Sequence, residues 1–411
     1  MTQPAHAPQN IVIIGAGHAG GTVAAHLRQD GFAGAITLVG EEPVVPYQRP
    51  PLSKAWLAGT SSLDHVILRP LEWYGENQVD LRLGTRVASI DRAGHTIALT
   101  SGETLPYDAL IIATGARPRQ LGLPGEDLDG VQALRTLADA EALKAAMLPD
   151  KTIVLIGAGY IGLEVAASAR KAGLKAILVE REARSVARVA CETMSAFLEN
   201  YHAAHGVEFI FNAAARGFAG EAAVTAVELT DGRVIPGDLV LVGAGVVPND
   251  ELAREAGLAC GNGIVVDYEA RTSDPAIFAI GDVAYRPLDL YNTQFRLESV
   301  PNALEQARCV AHVLTGTPVP APEVPWFWSD QYDLKIQLAG LPLDATSQIV
   351  RGDPATGKFA VFHLKGNHVR AVEAVNAPPE FMFGRKLIAA GSPVDLEGLA
   401  DISVSMKQVV L

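Results

Sequence analysis

An α/β fold that uses one strand, glycine turn and helix twice, with a smaller α+β domain behind, is predicted by three observations. Four apolar β-formers, Ile11-Val12-Ile13-Ile14, run straight into Gly15-x-Gly17-x-x-Gly20. The pattern returns as Ile153-Val154-Leu155-Ile156 followed by Gly157-x-Gly159-x-x-Gly162. From about Trp326 the chain changes character: Trp326 to Gln337 alternates, and Asp353-Pro354-Ala355-Thr356-Gly357 then signals a hairpin.

In the first copy the apolar run reads as a strand buried on both faces. Gly15 permits the tight turn, Gly17 lets a pyrophosphate approach the backbone, and Gly20 lets the next helix pack close. That helix, about Gly20 to Gln29, aims its N-terminal N–H groups at the phosphates. The strand Ile36 to Val39 then delivers Glu41, a carboxylate suited to a ribose diol. Three glycines alone would be a weak signal. Strand, helix, second strand and terminal acid in succession specify a dinucleotide site.

The stretch Glu42 to Lys54 opens too rich in proline for regular structure, so it reads as a shaped loop leading into a short helix at Leu52. Arg49 and Lys54 flank its rigid Pro50-Pro51 turn and suit an anionic or polar ligand; a plain surface connector is the alternative. Leu81 to Ile90 and His95 to Thr100 alternate in strand fashion. Tyr107 to Gly115 is another buried strand, and ligands sit at the carboxyl ends of parallel strands. Thr114-Gly115 should therefore face the first dinucleotide.

The second copy continues from Gly162 through Glu164 into a helix with Val165, Ala169 and Ala172 on its apolar side. Its following strand, Ala176 to Val179, ends at Glu180, the counterpart of Glu41, so two dinucleotides are implied. Leu239 to Gly245 closes this unit. The apolar strand before Gly281-Asp282 needs a sheet, and if the second unit is inserted into the first, that sheet is the first one. The expected borders are 1–118 with 248–325 for the first domain, 119–247 for the second and 326–411 for the third.

With 411 residues and 49% hydrophobic content the chain can bury large cores in two or three domains. A net charge of -13 argues against a nucleic-acid role. Cys191, Cys260 and Cys309 are the three cysteines, far apart and outside any metal-ligand spacing, so no metal site is expected and a reducing compartment fits. Residues 1–10 lack a basic and an apolar leader region, and no apolar run reaches about 18 residues, so a cytoplasmic protein is expected.

Gly15 to Gly20, Tyr47-Gln48-Arg49-Pro50-Pro51-Leu52-Ser53-Lys54, Ala113-Thr114-Gly115, Leu134-Arg135-Thr136, Gly157 to Glu164, Gly281-Asp282, Val300-Pro301-Asn302-Ala303 and Trp328-Ser329-Asp330-Gln331 occur in this order. In that set, over essentially its whole length, the chain resembles the FAD-dependent NADH:ferredoxin and rubredoxin reductases. The resemblance implies two Rossmann-like domains in a glutathione-reductase-like plan, one for FAD and one for NADH, plus the C-terminal α+β domain.

It further implies FAD contacts from Gly15, Gly17, Gly20, Glu41, Arg49, Lys54, the backbone at Val87, Ala113, Thr114, Gly115, Arg135, Asp282, Val300 and Trp328. In this reading Glu41 accepts from the adenosine ribose, Arg49 and Arg135 balance the pyrophosphate, and Asp282 accepts from the ribityl chain or a phosphate-bound hydroxyl. Trp328 lies near the flavin ring; by spacing alone a core aromatic is an equal alternative. NADH contacts fall on Gly157, Gly159, Gly162, Glu164, Glu180, Arg188 and Gly245. A carboxylate at Glu180 favours NADH by repelling a 2′-phosphate, although Arg181 and Arg184 nearby could receive one.

Lys54 and Glu164 are expected to tune the flavin, the cation stabilising the reduced ring and the acid pairing with it until nicotinamide arrives. Their plain alternatives are a solvated loop charge and an acid favoured by the helix dipole. No cysteine precedes Cys191 to act as a thiol outlet, so electrons are expected to leave for an outside acceptor. A [2Fe–2S] ferredoxin serving a cytochrome P450 or a ring-hydroxylating dioxygenase fits best. A rubredoxin reductase, or a flavoprotein resembling apoptosis-inducing factor whose main role is partner binding, are the other readings. On a helix expected from Asn302 to Leu314, with Leu304, Ala307, Ala311 and Leu314 as its apolar stripe, Glu305, Arg308 and His312 share the outer face. Arg308 is the expected ferredoxin contact, and an ordinary Glu305 to Arg308 pair is the alternative.

Overall fold

The computed structural model describes residues 8–411, so most of the stretch 1–10, on which the expectation of no leader rested, lies outside the described residues. By packing, the chain forms two compact units. The first comprises the residues up to Gln48 together with Leu63–Arg117 and Val247–Pro325. Its central sheet orders the strands Ile277–Ala279, Ala109–Ile112, Asn10–Ile14, Ala35–Val39 and Val79–Arg82, and every pairing is parallel. Only a strand apolar on both faces suits the middle of such a sheet, and Ile11 to Ile14 are all buried. The strand before Gly281 does join this first sheet, beside Leu110 to Ile112.

Register sets the working edge. Ile14 stands opposite both Val39 and Ile112, so three strands end level and their following turns gather at one rim. The helix His18–Gln29 starts there and buries Val23, Ala24 and Leu27 against the sheet. The stretch 81–90 is not one strand. Gly84, at φ +61°, breaks it, leaving Val79–Arg82 in the parallel sheet and Val87–Asp91 in a separate antiparallel meander with Thr96–Leu99 and Thr104–Pro106.

The second unit comprises Arg49–Ser62, Pro118–Val246 and Trp326–Leu411. Motif-based borders put residues 49–62 with the first domain; by packing they belong here. Its parallel sheet runs Val207–Ile210, Lys175–Val179, Thr152–Ile156, Leu239–Val242 and Val131–Gln132. The C-terminal residues form an antiparallel sheet ordered Trp326–Gln331, Leu334–Gly340, His368–Val375, Lys358–Lys365 and Ser347–Asp353. Pro354–Thr356 makes the expected connection as a single 3₁₀ turn, and Gly357 closes it at φ +68°. The helix Pro378–Ala390 covers this sheet, with Gly384 so close to Val372 that a Cβ would sit 2.6 Å from a methyl carbon. Among the described residues no helix is long and apolar enough to cross a membrane.

Candidate dinucleotide sites and the Lys54 and Glu164 pair

At the rim of the first unit the three glycines each meet a different demand. Gly15 has φ +109°, and a Cβ on it would lie 2.2 Å from the Ala113 carbonyl oxygen. The glycine turn and the Ala113-Thr114-Gly115 turn are therefore in contact at one rim of the sheet. A Cβ on Gly20 would lie 1.9 Å from the Gly15 oxygen, whereas Gly17 faces open space. Gly17 is also the helix N-cap and supplies no side chain, so the amides of the first turn point outward for an anion.

Neighbouring chain fixes this rim. Thr114 Oγ1 donates to the Asn249 carbonyl at 2.7 Å, and Asn249 Nδ2 returns a bond to the Thr114 carbonyl at 2.9 Å. Gly281 N–H donates to Gln306 Oε1 at 2.8 Å, and a Cβ on Gly281 would stand 3.2 Å from that of Ala19. Asp282 thus arrives beside the start of the first helix. Val300 opens the helix Val300–Thr315, whose N-cap Ser299 accepts from the Asn302 N–H. Val87, buried, starts the meander just beyond Thr85, whose N–H bonds the Gly40 carbonyl at 2.8 Å. Asn249 and Gln306 belong to no motif, and sequence reasoning missed both.

The two acids expected to meet a ribose differ. Glu41 is exposed, 3.9 Å from Arg86. Glu180 is fastened to its own glycine turn: Oε2 accepts the Ala158 N–H at 2.7 Å and Oε1 the Glu182 N–H at 2.9 Å. Each carboxylate oxygen retains a lone pair for a ribose hydroxyl. Gly157, at φ +106°, backs onto the Gly243 carbonyl; a Cβ on Gly162 would sit 2.2 Å from the Gly157 oxygen; Gly159 is open. Arg188 lies next to Gly245, its Nη2 3.7 Å from where a Cβ on that glycine would be. Arg184 is spent on the carbonyls of Ala187 and Ala190 and on Ser195 Oγ, so of the two cations considered for a phosphate Arg181, 76% exposed and held by a surface ion pair with Glu182 at 3.1 Å, is the more available.

Within the second unit Lys54 Nζ lies 2.8 Å from Glu164 Oε2, so Glu164 is an ion-pair partner rather than a mere helix-dipole acid. The same oxygen accepts from Ser53 Oγ at 2.5 Å, and Oε1 accepts from Ser329 Oγ at 2.6 Å. Pro50–Ser53 form the one-turn helix that carries Ser53 and Lys54 to this point, and Ser168 Oγ donates to the Ser53 carbonyl at 2.9 Å to lock it. Arg49 Nη1 donates to the Arg135 carbonyl at 2.6 Å, which brings the two expected pyrophosphate cations together. Trp328 is half-buried against Trp326, not enclosed as a core aromatic would be.

The helix bearing Arg308 corrects the sequence reading. It buries Ala303, Ala307, Val310 and Ala311, while Leu304 is exposed, because Ala303 faces the first helix one position away from the expected stripe. Glu305 pairs with Arg286 at 3.0 Å, and Arg308 pairs instead with Glu323 at 2.9 Å. A buried long-range arginine outcompetes an i,i+3 partner, whose contribution is only about 0.2–0.5 kcal/mol.

Sequence spacing also hid a buried cluster of Cys191, His363 and Glu373, whose ligand-type atoms lie within 4.8 Å of one another. Glu373 Oε1 accepts the Cys191 N–H at 3.0 Å and bonds His363 Nε2 at 2.7 Å, fastening the start of the helix Glu192–Ala204 to the C-terminal sheet. Burial and Glu373 push the Cys191 thiol up to about 12, and burial pushes Cys309 to about 11 and raises Cys260. None is a reactive thiolate near neutral pH.

FAD and a nicotinamide dinucleotide fit these cradles: each has an open middle glycine, an uncapped helix start and an acid at the end of the next strand. Residues 9–307 match the pyridine nucleotide-disulphide oxidoreductase family, and residues 326–410 match the reductase C-terminal domain. A probable ferredoxin reductase of Castellaniella defragrans is 49% identical over 98% of both chains. Putidaredoxin reductase of Pseudomonas putida is 43% identical, over 98% of this chain and 97% of its own. A crystal structure of the covalent putidaredoxin reductase–putidaredoxin complex superimposes with a TM-score of 0.95 at 43% identity, covering 97% of each chain. With two glycine cradles, no thiolate outlet and these relatives, the chain belongs to the pyridine nucleotide-disulphide oxidoreductase family, in its ferredoxin reductase branch.

Proposed function

We propose that this chain is an FAD-dependent NADH:ferredoxin oxidoreductase that supplies a [2Fe–2S] ferredoxin, and through it a cytochrome P450 or a ring-hydroxylating dioxygenase. The observation that carries the reading is the doubled cradle together with a Lys54–Glu164 ion pair that has three donors on its acid. Bound FAD supplies the hydride-accepting and one-electron-donating chemistry.

The chain's own residues bind and orient. Gly15, Gly17 and Gly20 bring the first helix N-terminus to one pyrophosphate, with Glu41 for the ribose and Thr114, Gly115, Asp282, Val87 and Val300 as the walls of that site. Arg49 and Arg135 supply cationic balance, and Trp328 a flat apolar surface. Gly157, Gly159 and Gly162 seat the nicotinamide dinucleotide, Glu180 takes its ribose, and Arg188 and Gly245 close the far side. Lys54 offers a cation for charge developing on the reduced ring, and Glu164 balances that cation when nicotinamide is absent. With the three cysteines free and two of their thiols pushed far above neutrality, a reducing cytoplasm suits the protein.

An anaerobic visible spectrum provides the test. Stoichiometric NADH should bleach the flavin bands, and added oxidised ferredoxin should restore them in two one-electron equivalents. Flavin that stays oxidised with NADH, or that ferredoxin cannot reoxidise, would refute the assignment.

Arg308 is our proposed ferredoxin contact, supported by its half-exposed guanidinium on a helix that begins at Val300. Because Glu323 already pairs with it, the expected effect is modest. Arg308→Glu should raise the KM for ferredoxin about two- to fivefold at low ionic strength, with the difference closing at high salt. NADH-to-ferricyanide turnover should be unchanged, and equal ferredoxin kinetics at low salt would remove Arg308 from the interface.

A further inference from the structure

Beyond Glu164 the hydrogen bonds do not stop. Ser329 Oγ, which donates to Glu164 Oε1, is itself 3.1 Å from Gln331 Nε2, and Gln331 Oε1 is 2.8 Å from His202 Nε2. Ser329, Gln331 and His202 are buried to 0%, 1% and 0% exposure, and His202 Nδ1 has no partner among the described residues. The bonds span 165 and 129 residues of sequence, joining the helices Tyr160–Lys171 and Glu192–Ala204 through the strand Trp326–Gln331.

Such a chain has two self-consistent polarities. In one, His202 Nε2–H donates to the Gln331 carbonyl, the Gln331 amide donates to Ser329, and Ser329 donates to an anionic Glu164. In the other every bond reverses: a group at Glu164 donates to Ser329, Ser329 donates to a flipped Gln331, and Gln331 donates to an acceptor Nε2. Both ends of the chain decide between them: the carboxylate paired with Lys54 accepts and has no proton to donate, and the His202 end favours the same polarity. Reversal would place the imidazole proton on Nδ1 and bury an N–H with no acceptor, the costlier of the two orphans. The first polarity leaves only a lone pair there. Burial also lowers the His202 pKa to about 4, so near neutrality the ring carries a single proton.

We propose that Ser329, Gln331 and His202 are positioning residues forming a one-directional donor chain that, with Ser53, holds Glu164 as the fixed carboxylate partner of Lys54. The inference deepens the proposed role of that pair. Its main readout, the His202 tautomer, needs neither nicotinamide nor ferredoxin, so it fails or survives separately from the reductase reading.

The test is long-range ¹H–¹⁵N correlation on ¹⁵N-histidine-labelled, FAD-loaded protein, with His202 assigned by its loss in His202→Gln. The expected wild-type result is the Nε2–H tautomer. In Glu164→Gln the new carbonyl must face Lys54 and Ser53, both donors, so the new amide faces Ser329 and the whole chain should reverse. His202 should then switch to Nδ1–H. Adding Ser329→Ala to Glu164→Gln cuts the chain and should abolish the switch. Ser329→Ala alone should slow NADH reduction of the flavin about tenfold without loss of FAD, and Ser329→Thr, which keeps the hydroxyl, should restore it. A wild-type Nδ1–H tautomer, a doubly protonated ring at neutral pH, or a tautomer indifferent to Glu164→Gln would each overturn the proposal.

Discussion

Gly162→Ala should cost at least about tenfold in kcat/KM for NADH while the protein still purifies with FAD and is still bleached by dithionite. The reason is a backbone contact that cannot yield cheaply. A Cβ at Gly162 would lie 2.2 Å from the Gly157 carbonyl oxygen, and Gly157, at φ +106°, is itself pressed against the Gly243 carbonyl. To admit one methyl, the helix Tyr160–Lys171 must move away from the turn that its amides are meant to serve. Ordinary overpacking costs about 1–3 kcal/mol. Here the displaced groups are the phosphate-facing amides, so the loss should appear in nicotinamide binding before it appears in stability. Dithionite bleaching isolates the first cradle, whose glycines lie in the other unit. An unchanged KM and kcat for NADH would mean that this glycine has no role in seating the cofactor.

The parts of the fold that were legible are those whose cause is local. Three glycines, an apolar strand before them and an acid at the end of the next strand are steric and electrostatic requirements written within one stretch of chain. What long-range partners decide was not legible. Glu41 and Glu180 hold equivalent places in sequence, yet one is exposed beside Arg86 and the other is tied to two backbone amides. Helical spacing paired Glu305 with Arg308, but Arg286 from a strand and Glu323 from a later loop took them instead. Lys54 and Glu164 could be matched by resemblance, whereas the links from Ser329 and Gln331, which lie in the Trp328 to Gln331 stretch, to Glu164 and to His202, which lies in no motif, could not. The stretch 49–62 followed the first glycine motif in sequence but packs with the second unit, because Ser53, Lys54 and Arg49 find their partners at Glu164, Ser168 and Arg135.

Glu180→Ala should narrow the ratio of kcat/KM for NADH over NADPH by about tenfold or more. Two effects act in the same direction. The carboxylate that accepts ribose hydroxyls is lost, which weakens NADH, and its repulsion of a 2′-phosphate is lost with it, which admits NADPH. The structure adds a third. Glu180 now occupies the N–H groups of Ala158 and Glu182; without it both amides are unpartnered beside the glycine turn, where an anion is a natural replacement. Arg181 stands exposed next to them and can complete such a site, whereas Arg184 is held by Ala187, Ala190 and Ser195. The gain for NADPH should therefore exceed what removal of repulsion alone provides, and Glu180→Ala with Arg181→Ala should give back part of it. Steady-state reduction of ferricyanide with each nucleotide measures the ratio without involving ferredoxin. If the unaltered protein uses both nucleotides equally, or if the ratio does not move in Glu180→Ala, the ribose is not read by this carboxylate.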